Sequence, residues 1–232
     1  MEDRTSTLSH GHEGTDAQDA GARGADAKNK AAQRTASPFF AILSRMKYIE
    51  RWALMRSARP ENLSEHTLEV ALIAHCLATL GNVRHGKELD ADRAAMIALF
   101  HDASEIVTGD MPTPVKYGNG ALREAYKGVE AAAAERLLDT LPDDLRTVYQ
   151  AAFVPDGTEE DAYLRRLVKA ADKVSALIKC VDEAQAGNAE FADAGATTQA
   201  RVDEMACELP EVADFVAEFL PPYGSTLDEL LG

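Results

Sequence analysis

One stretch constrains the architecture more than any other: Ala94-Ala95-Met96-Ile97-Ala98-Leu99-Phe100 runs without a break into His101-Asp102. Wound as a helix, its Met96, Ile97, Leu99 and Phe100 make it apolar nearly all round, and such a helix belongs in the centre of a bundle. Asp90 stands where its N-cap would be. Similar periodicity fills the chain from Pro38 onward. Phe39, Phe40, Leu43 and Met46 suit one face of a first helix ending near Trp52. Asn62 with Glu65 three residues on resembles a capping box, with Ser64 a competing cap. The helix they open carries Leu68, Ala71, Leu72 and His75 to about Leu80, and is expected to stop at Gly81-Asn82. Further helices are expected over 122–140, after Pro142, from Thr158 through Ile178, and near 188–207 and 210–220. The chain shows no convincing alternating strand and no internal repeat. The expectation is an all-α bundle with short connections.

Residues 1–37 differ from everything after them. They contain no Val, Ile, Phe, Trp or Tyr, and their six acidic residues nearly balance five basic ones. Such a segment cannot bury enough apolar area to offset chain entropy, so a disordered tail is expected, followed by a folded domain over 38–232. His10 and His12 lie in that tail and are read as solvated. The three cysteines, Cys76, Cys180 and Cys207, are far apart, which predicts a reducing, cytoplasmic setting and neither a disulfide framework nor a zinc ribbon. No apolar run approaches membrane-spanning length, so no membrane association is expected. The net charge of −15 disfavours a nucleic-acid polymer as partner. A small anion remains admissible, provided that a metal or a placed arginine supplies local positive charge.

The chemistry-bearing oddity is polar residues inside helices that should be buried. His101, Asp102 and Glu105 close the most apolar helix; at 100° per residue His101 and Glu105 share a face, with Asp102 beside it. Asp172 repeats the oddity among Val168, Ala170, Ala171 and Val174, and His66 adds a third element in the first turn of its helix. Taken singly, each has an ordinary reading as a cap, a surface group or a hydrogen-bonded core residue. Together they would be several independent costly burials, whereas a shared metal satisfies all of them. Two imidazoles and two carboxylates suit Mn, Co, Fe or Zn better than a soft thiolate metal or an all-oxygen calcium site. His75 lies nine residues from His66, on the opposite face of the helix, and is read as structural, as is His85 in its polar loop.

The order His66, His101-Asp102, Asp172 resembles the H…HD…D signature of the HD-domain metal-dependent phosphohydrolases. Within them the closer likeness is to the bacterial 5'-deoxynucleotidases, the YfbR-like group. It is carried by S-R-M-K-Y-I-E-R-W (44–52), L-M-R (54–56), E-N-L-S-E-H (61–66), H-D-A-S-E (101–105), T-G-D-M-P-T-P-V-K-Y (108–117) and L-V-K-A-A-D (167–172). The bare HD pair is weak; H-D-x-S-E followed by T-G-D-x-P-T-P-V-K is highly specific. The resemblance implies an all-α HD-domain bundle with its metal site between core helices. It also implies a homodimer that removes phosphate from deoxyribonucleoside 5'-monophosphates. By it, His66, His101, Asp102 and Asp172 hold one divalent metal (Co, Mn or another transition metal), and the first, third and fourth of them also border the substrate. Glu105 becomes the acid/base group, Arg51 orients the phosphate, and Trp52 shapes the nucleoside pocket. Asp110, Met111, Pro112 and Thr113 form the loop that contacts the sugar and, through Asp110, helps place the attacking water.

Physical chemistry is consistent with that reading. A metal can lower the pKa of a bound water and neutralise charge at phosphorus. Arg51 offers a planar fork for phosphate, although a surface salt bridge is the ordinary fate of an arginine. A lone tryptophan is more commonly core. Other classes remain: an HD hydrolase of a cyclic nucleotide or nucleoside polyphosphate, or a non-catalytic nucleotide-binding regulator. A di-iron bundle would ask for more carboxylate–histidine pairs than the chain offers.

Overall fold

The protein is described from a computed structural model, which covers residues 36–112 and 119–232. Thr113 and all but two residues of the expected tail lie outside the described residues. Pro38–Gly232 forms one compact unit. It is helical throughout: among the described residues no strand forms, and one isolated antiparallel bridge joins Glu50 to Asn62.

The elements are α1 (Phe39–Leu43), a 3-10 turn (Ser44–Tyr48), α2 (Leu63–His85), α3 (Ala91–Phe100) and α4 (Glu105–Thr108). They continue with α5 (Gly120–Leu138), α6 (Asp143–Phe153), α7 (Glu159–Gln185), a 3-10 turn (Ala189–Phe191), α8 (Ala192–Glu208), α9 (Pro210–Glu218) and α10 (Leu227–Leu231). Local chemistry sets their starts. The carboxamide oxygen of Asn62 accepts from the backbone N–H of Ser64 and Glu65, so Asn62 rather than Ser64 caps α2. Asp90, Asn119 and Thr158 cap α3, α5 and α7 in the same way.

The long helices α2 and α7 pack on one another and on α3, α8 and α9 around Val70, Ile73, Leu77, Ile97, Leu167 and Phe215. A second, aromatic cluster places Phe39 of α1 against Phe100 of α3 and Leu137 and Leu138 of α5. His101 follows directly on Phe100, so this second cluster anchors the C-terminal end of α3 where the polar residues begin.

Three expectations need correction. The first helix does not reach Trp52; it tightens into a 3-10 turn after Leu43, and residues 49–62 double back on themselves. Their closure is backbone pairing, with Arg51 N–H donating to Glu61 O at 2.9 Å and Leu63 N–H to Ile49 O at 2.9 Å. Helix α2 does not stop at Gly81-Asn82. Gly81 is there for packing, because a Cβ on it would lie 2.8 Å from Glu211 Oε1. Termination falls to Gly86, left-handed at φ 62°, whose N–H returns to Gly81 O. Finally, α3 is not central on all sides: Ala94, Ile97 and Ala98 are buried, but Met96 and Leu99 stay 43% and 37% exposed.

Candidate metal centre

Three helical segments deliver the polar set to one place. His66 lies in the first turn of α2, His101 is the C-cap of α3 with Asp102 next in the following turn, and Asp172 sits midway along α7. His66 Nε2 is 3.3 Å from Asp172 Oδ1 and 3.7 Å from Asp102 Oδ2, and His101 Nε2 is 3.1 Å from that same Asp102 oxygen. One donor atom each from His66, His101 and Asp102 lies within 4.8 Å of the others.

The outer nitrogen of each ring fixes what the inner one can do. His101 Nδ1 lies 2.6 Å from the carbonyl of Ala98, which can only accept, so Nδ1 carries the proton. His66 Nδ1 lies 3.1 Å from Ser175 Oγ, and that hydroxyl donates to Glu69 Oε2 at 2.6 Å. With its proton committed to a carboxylate, the serine oxygen accepts from His66. In the neutral form that binds a metal, both imidazoles therefore turn an Nε2 lone pair toward the carboxylates, and both Nε2 atoms are buried without a hydrogen bond. Two orphaned, convergent lone pairs beside two carboxylates are what a divalent transition metal satisfies. The residues present fit such an ion.

Electrostatics point the same way. Burial pushes His66 down, outweighing the opposing pull of Asp172 close to its Nε2. Burial also disfavours the charged form of His101, but Asp102 and Asp172 overcome it and raise this ring to about 9, so the two carboxylates hold a proton on Nε2 where a bound cation would replace it. Burial would raise Asp102, yet His101 holds it at about 2; Asp172 is likewise held well below the carboxylate range, chiefly by His66 and Lys173 against burial. Both carboxylates are thus kept ionised by the positive charge around them, the state in which a carboxylate can hold a metal.

Arg51 brings a fixed cation from another segment. Its Nη1 stands 3.4 Å from Asp102 Oδ2 and its Nε 3.3 Å from Glu61 Oε2, with the side chain 11% exposed. Burial opposes its charge, but Asp172, Asp102, Glu61 and Asp110 together raise its pKa. Trp52, next in the chain, is left-handed at φ 59°, an uncommon conformation for a bulky residue. Its indole N–H donates to Glu61 Oε2 at 2.9 Å and its ring lies 5.3 Å from that of Phe191. The loop carrying both is tied down at its far end. Buried Glu183 of α7 accepts from the backbone N–H of Ala58 and Arg59, and Lys179 donates to Arg59 O.

The remaining predicted residues follow His101-Asp102 in the chain. Glu105 opens α4, buried, with its backbone N–H on Asp102 O at 2.9 Å. Gly109, at φ 74°, turns the chain into half-buried Asp110, Met111 and Pro112. Tyr126 of α5 steadies that turn, its hydroxyl 3.2 Å from Thr108 Oγ1 and 3.4 Å from Gly109 O. Thr113 lies outside the described residues. His75 is exposed and faces Asp92 at 3.6 Å, away from the cluster. Glu61, Glu69 and Ser175 escaped the sequence reading. Only Ser175 left a signal, a hydroxyl three residues after Asp172 on an apolar helix.

Comparison with known proteins gives the family. The family profile described as 5'-deoxynucleotidase YfbR-like matches residues 38–223. A 5'-deoxynucleotidase of Vibrio cholerae serotype O1 is 44% identical over 194 residues, covering 84% of this chain and 98% of that protein. The 5'-deoxynucleotidase YfbR of Salmonella paratyphi B is 43% identical over 194 residues, covering 84% of this chain and 96% of the relative. Among solved structures, an HD-domain phosphohydrolase from Listeria innocua superposes with a TM-score of 0.68 at 27% identity, over 80% of this chain and 87% of that one. The chain belongs to the 5'-deoxynucleotidase YfbR-like family, within the all-α HD-domain phosphohydrolase fold.

Proposed function

We propose that this chain is a metal-dependent phosphatase that hydrolyses 2'-deoxyribonucleoside 5'-monophosphates to deoxynucleoside and phosphate. The observation that carries the reading is the pair of buried Nε2 lone pairs aimed at Asp102 and Asp172, with Arg51 beside them. His66, His101, Asp102 and Asp172 would hold the ion, cobalt, manganese or another transition metal. When bound, it supplies an acidified water and neutralises charge on the phosphoryl oxygens.

The protein's own groups do the rest. Arg51 presents its fork to two phosphate oxygens and fixes the ester in line with the attacking water. Glu105, buried three residues after Asp102, accepts the water proton as oxygen joins phosphorus, and returns it to the 5'-oxygen as the P–O bond breaks. Asp110 holds that water from the loop side. Trp52 walls the nucleoside, while Met111 and Pro112 lie against the deoxyribose, where a 2'-hydroxyl is refused by shape. His66, Asp102 and Asp172 border the same phosphate.

Two features bear on its setting. The helices α2 and α3 share an exposed apolar face: Leu68, Leu72 and Val83 line one side of α2, and Met96 and Leu99 continue it on α3, with the His75–Asp92 contact between them. That face suits a second copy of the chain, a homodimer. Its three cysteines are free, and no described helix is long and apolar enough to cross a membrane, in keeping with a cytoplasmic enzyme.

The test is phosphate release from a panel of deoxy- and ribonucleoside monophosphates, run across Mn, Co, Mg and Zn. Wild type should favour the deoxy series, and Asp102→Ala should lose the activity. Equal rates for the two proteins, or release of pyrophosphate or triphosphate from longer nucleotides instead, would sink the reading.

A further inference from the structure

Glu61 belongs to neither the metal cluster nor the 110–113 loop, yet it touches both side chains that the proposed function assigns to phosphate and nucleoside. One oxygen, Oε2, accepts from Arg51 Nε at 3.3 Å and from Trp52 Nε1 at 2.9 Å. The arrangement is built in by the backbone. The Arg51 N–H to Glu61 O bond and the Glu50–Asn62 bridge bring residue 61 directly opposite residues 51 and 52. Asn62 is also the α2 cap, so the segment that carries Glu61 is held in register with the helix bearing His66.

Two observations argue that this contact is not incidental. Trp52 keeps a left-handed backbone where glycine would sit without strain, and a bulky residue stays there only if its surroundings over-determine it. The Glu61 bond, the Phe191 ring and a turn closed by Met55 N–H on Trp52 O supply that determination. Arg51 faces a choice of carboxylates, Asp102 at 3.4 Å and Glu61 at 3.3 Å. By taking Nε, Glu61 closes the Nε edge of the guanidinium to Asp102, which meets Nη1 alone. The Nη edge is then what Arg51 presents toward the cluster.

We propose that Glu61 is a positioning residue that sets Arg51 and Trp52 as one unit, coupling phosphate orientation to the nucleoside wall. The role rests on the reading of Arg51 and Trp52 as substrate contacts. It implies that the enzyme cannot retune its nucleoside pocket at Trp52 without disturbing the phosphate, because one carboxylate oxygen serves both.

The chain's single tryptophan makes the idea directly testable, since all indole emission comes from Trp52. Metal-loaded wild type, Glu61→Gln and Glu61→Ala would be compared by tryptophan emission, by calorimetry with inorganic phosphate, and by steady-state kinetics on a deoxynucleoside monophosphate. Gln retains an acceptor for the indole but no charge for the guanidinium; Ala retains neither. Phosphate affinity should fall about tenfold or more in both variants, as loss of a charge-assisted bond predicts. KM should rise with it, and emission should shift to the red in Glu61→Ala with Glu61→Gln close to wild type. Melting temperatures within about 4 °C of wild type would show that the fold persists. Unchanged phosphate affinity in both variants overturns the proposal, as does an unshifted emission in Glu61→Ala. If wild type releases no phosphate from any monophosphate while affinity and emission still move together with Glu61, the deoxynucleotidase reading fails and the Glu61 assignment stands.

Discussion

Ser175 Oγ lies 3.1 Å from His66 Nδ1, on the side of the ring opposite the carboxylates, and hands its own proton to Glu69. The contact joins α7 to α2 through a serine that is fully buried. Such outer partners fix the tautomer and aim of a metal-binding imidazole. Ser175→Ala removes the acceptor for the Nδ1 proton and lets the ring turn. Metal affinity, measured by competition with a chromogenic chelator, should fall roughly 10- to 100-fold. Circular dichroism should stay that of wild type. An unchanged affinity would mean that packing alone aims the ring.

Arg51→Lys keeps the charge but exchanges a planar fork for a point donor on a shorter reach. If Arg51 meets two phosphate oxygens, kcat/KM for a deoxynucleoside monophosphate should drop by about 100-fold, near 3 kcal/mol. Metal content, read by plasma emission spectrometry, should not change. Equal kcat/KM in the two proteins would make Arg51 a structural partner of Glu61 and Asp102 only.

Acid stability should depend on Glu183. Burial opposes its ionisation, but Lys179, the N–H of Ala58 and of Arg59, and Asn188 hold it at about 2 against an ordinary 4.5. A carboxyl whose folded pKa is depressed stabilises fully above its unfolded value and loses that contribution as pH falls toward the folded one. The window is therefore pH 4.5 down to about 2. Glu183→Gln should destabilise the protein at pH 7 by about 3 kcal/mol, because Lys179 is left buried beside a neutral group. Urea melts should also show a shallower loss of stability across that window than in wild type. A parallel pH profile for the two proteins would refute the assignment.

The exposed apolar face of α2 and α3 carries its own test. Leu72 is 66% exposed, so Leu72→Asp should leave the monomer folded. In a dimer that buries this face, the same change places a charge in an apolar contact. Sedimentation velocity should report a dimer for wild type and a monomer for the variant. A wild-type monomer at micromolar concentration, or a variant dimer, would move the interface elsewhere.

Much of the bundle and the core of the centre could be read from the sequence because both obey local rules. Caps at Asn62, Asp90 and Thr158 and three-and-four spacing in α7 are short-range signals. His101-Asp102 and Asp172 stood out because charge in an apolar helix has few explanations. What escaped was set by distant partners. Gly81 reads as a stop only until Glu211 is seen packing on it from α9, and Met96 reads as core until its side of α3 is found bare. Ser175 and His66 are 109 residues apart, and no spacing rule links them. Glu61 lay inside a recognised segment, yet its partnership with Trp52 depends on a left-handed residue that the composition gives no reason to expect.

Asp172 and Glu183 both belong to α7, eleven residues apart, close to three full turns and about 16 Å. One faces His66; the other grips the loop that bears Arg51 and Trp52. This length of helix is thus a ruler between the ion-holding end of the site and the loop that meets the phosphate. Inserting or deleting one residue between them would swing one end by 100° relative to the other. The span should therefore tolerate exchange of its exposed side chains freely while admitting no change in length.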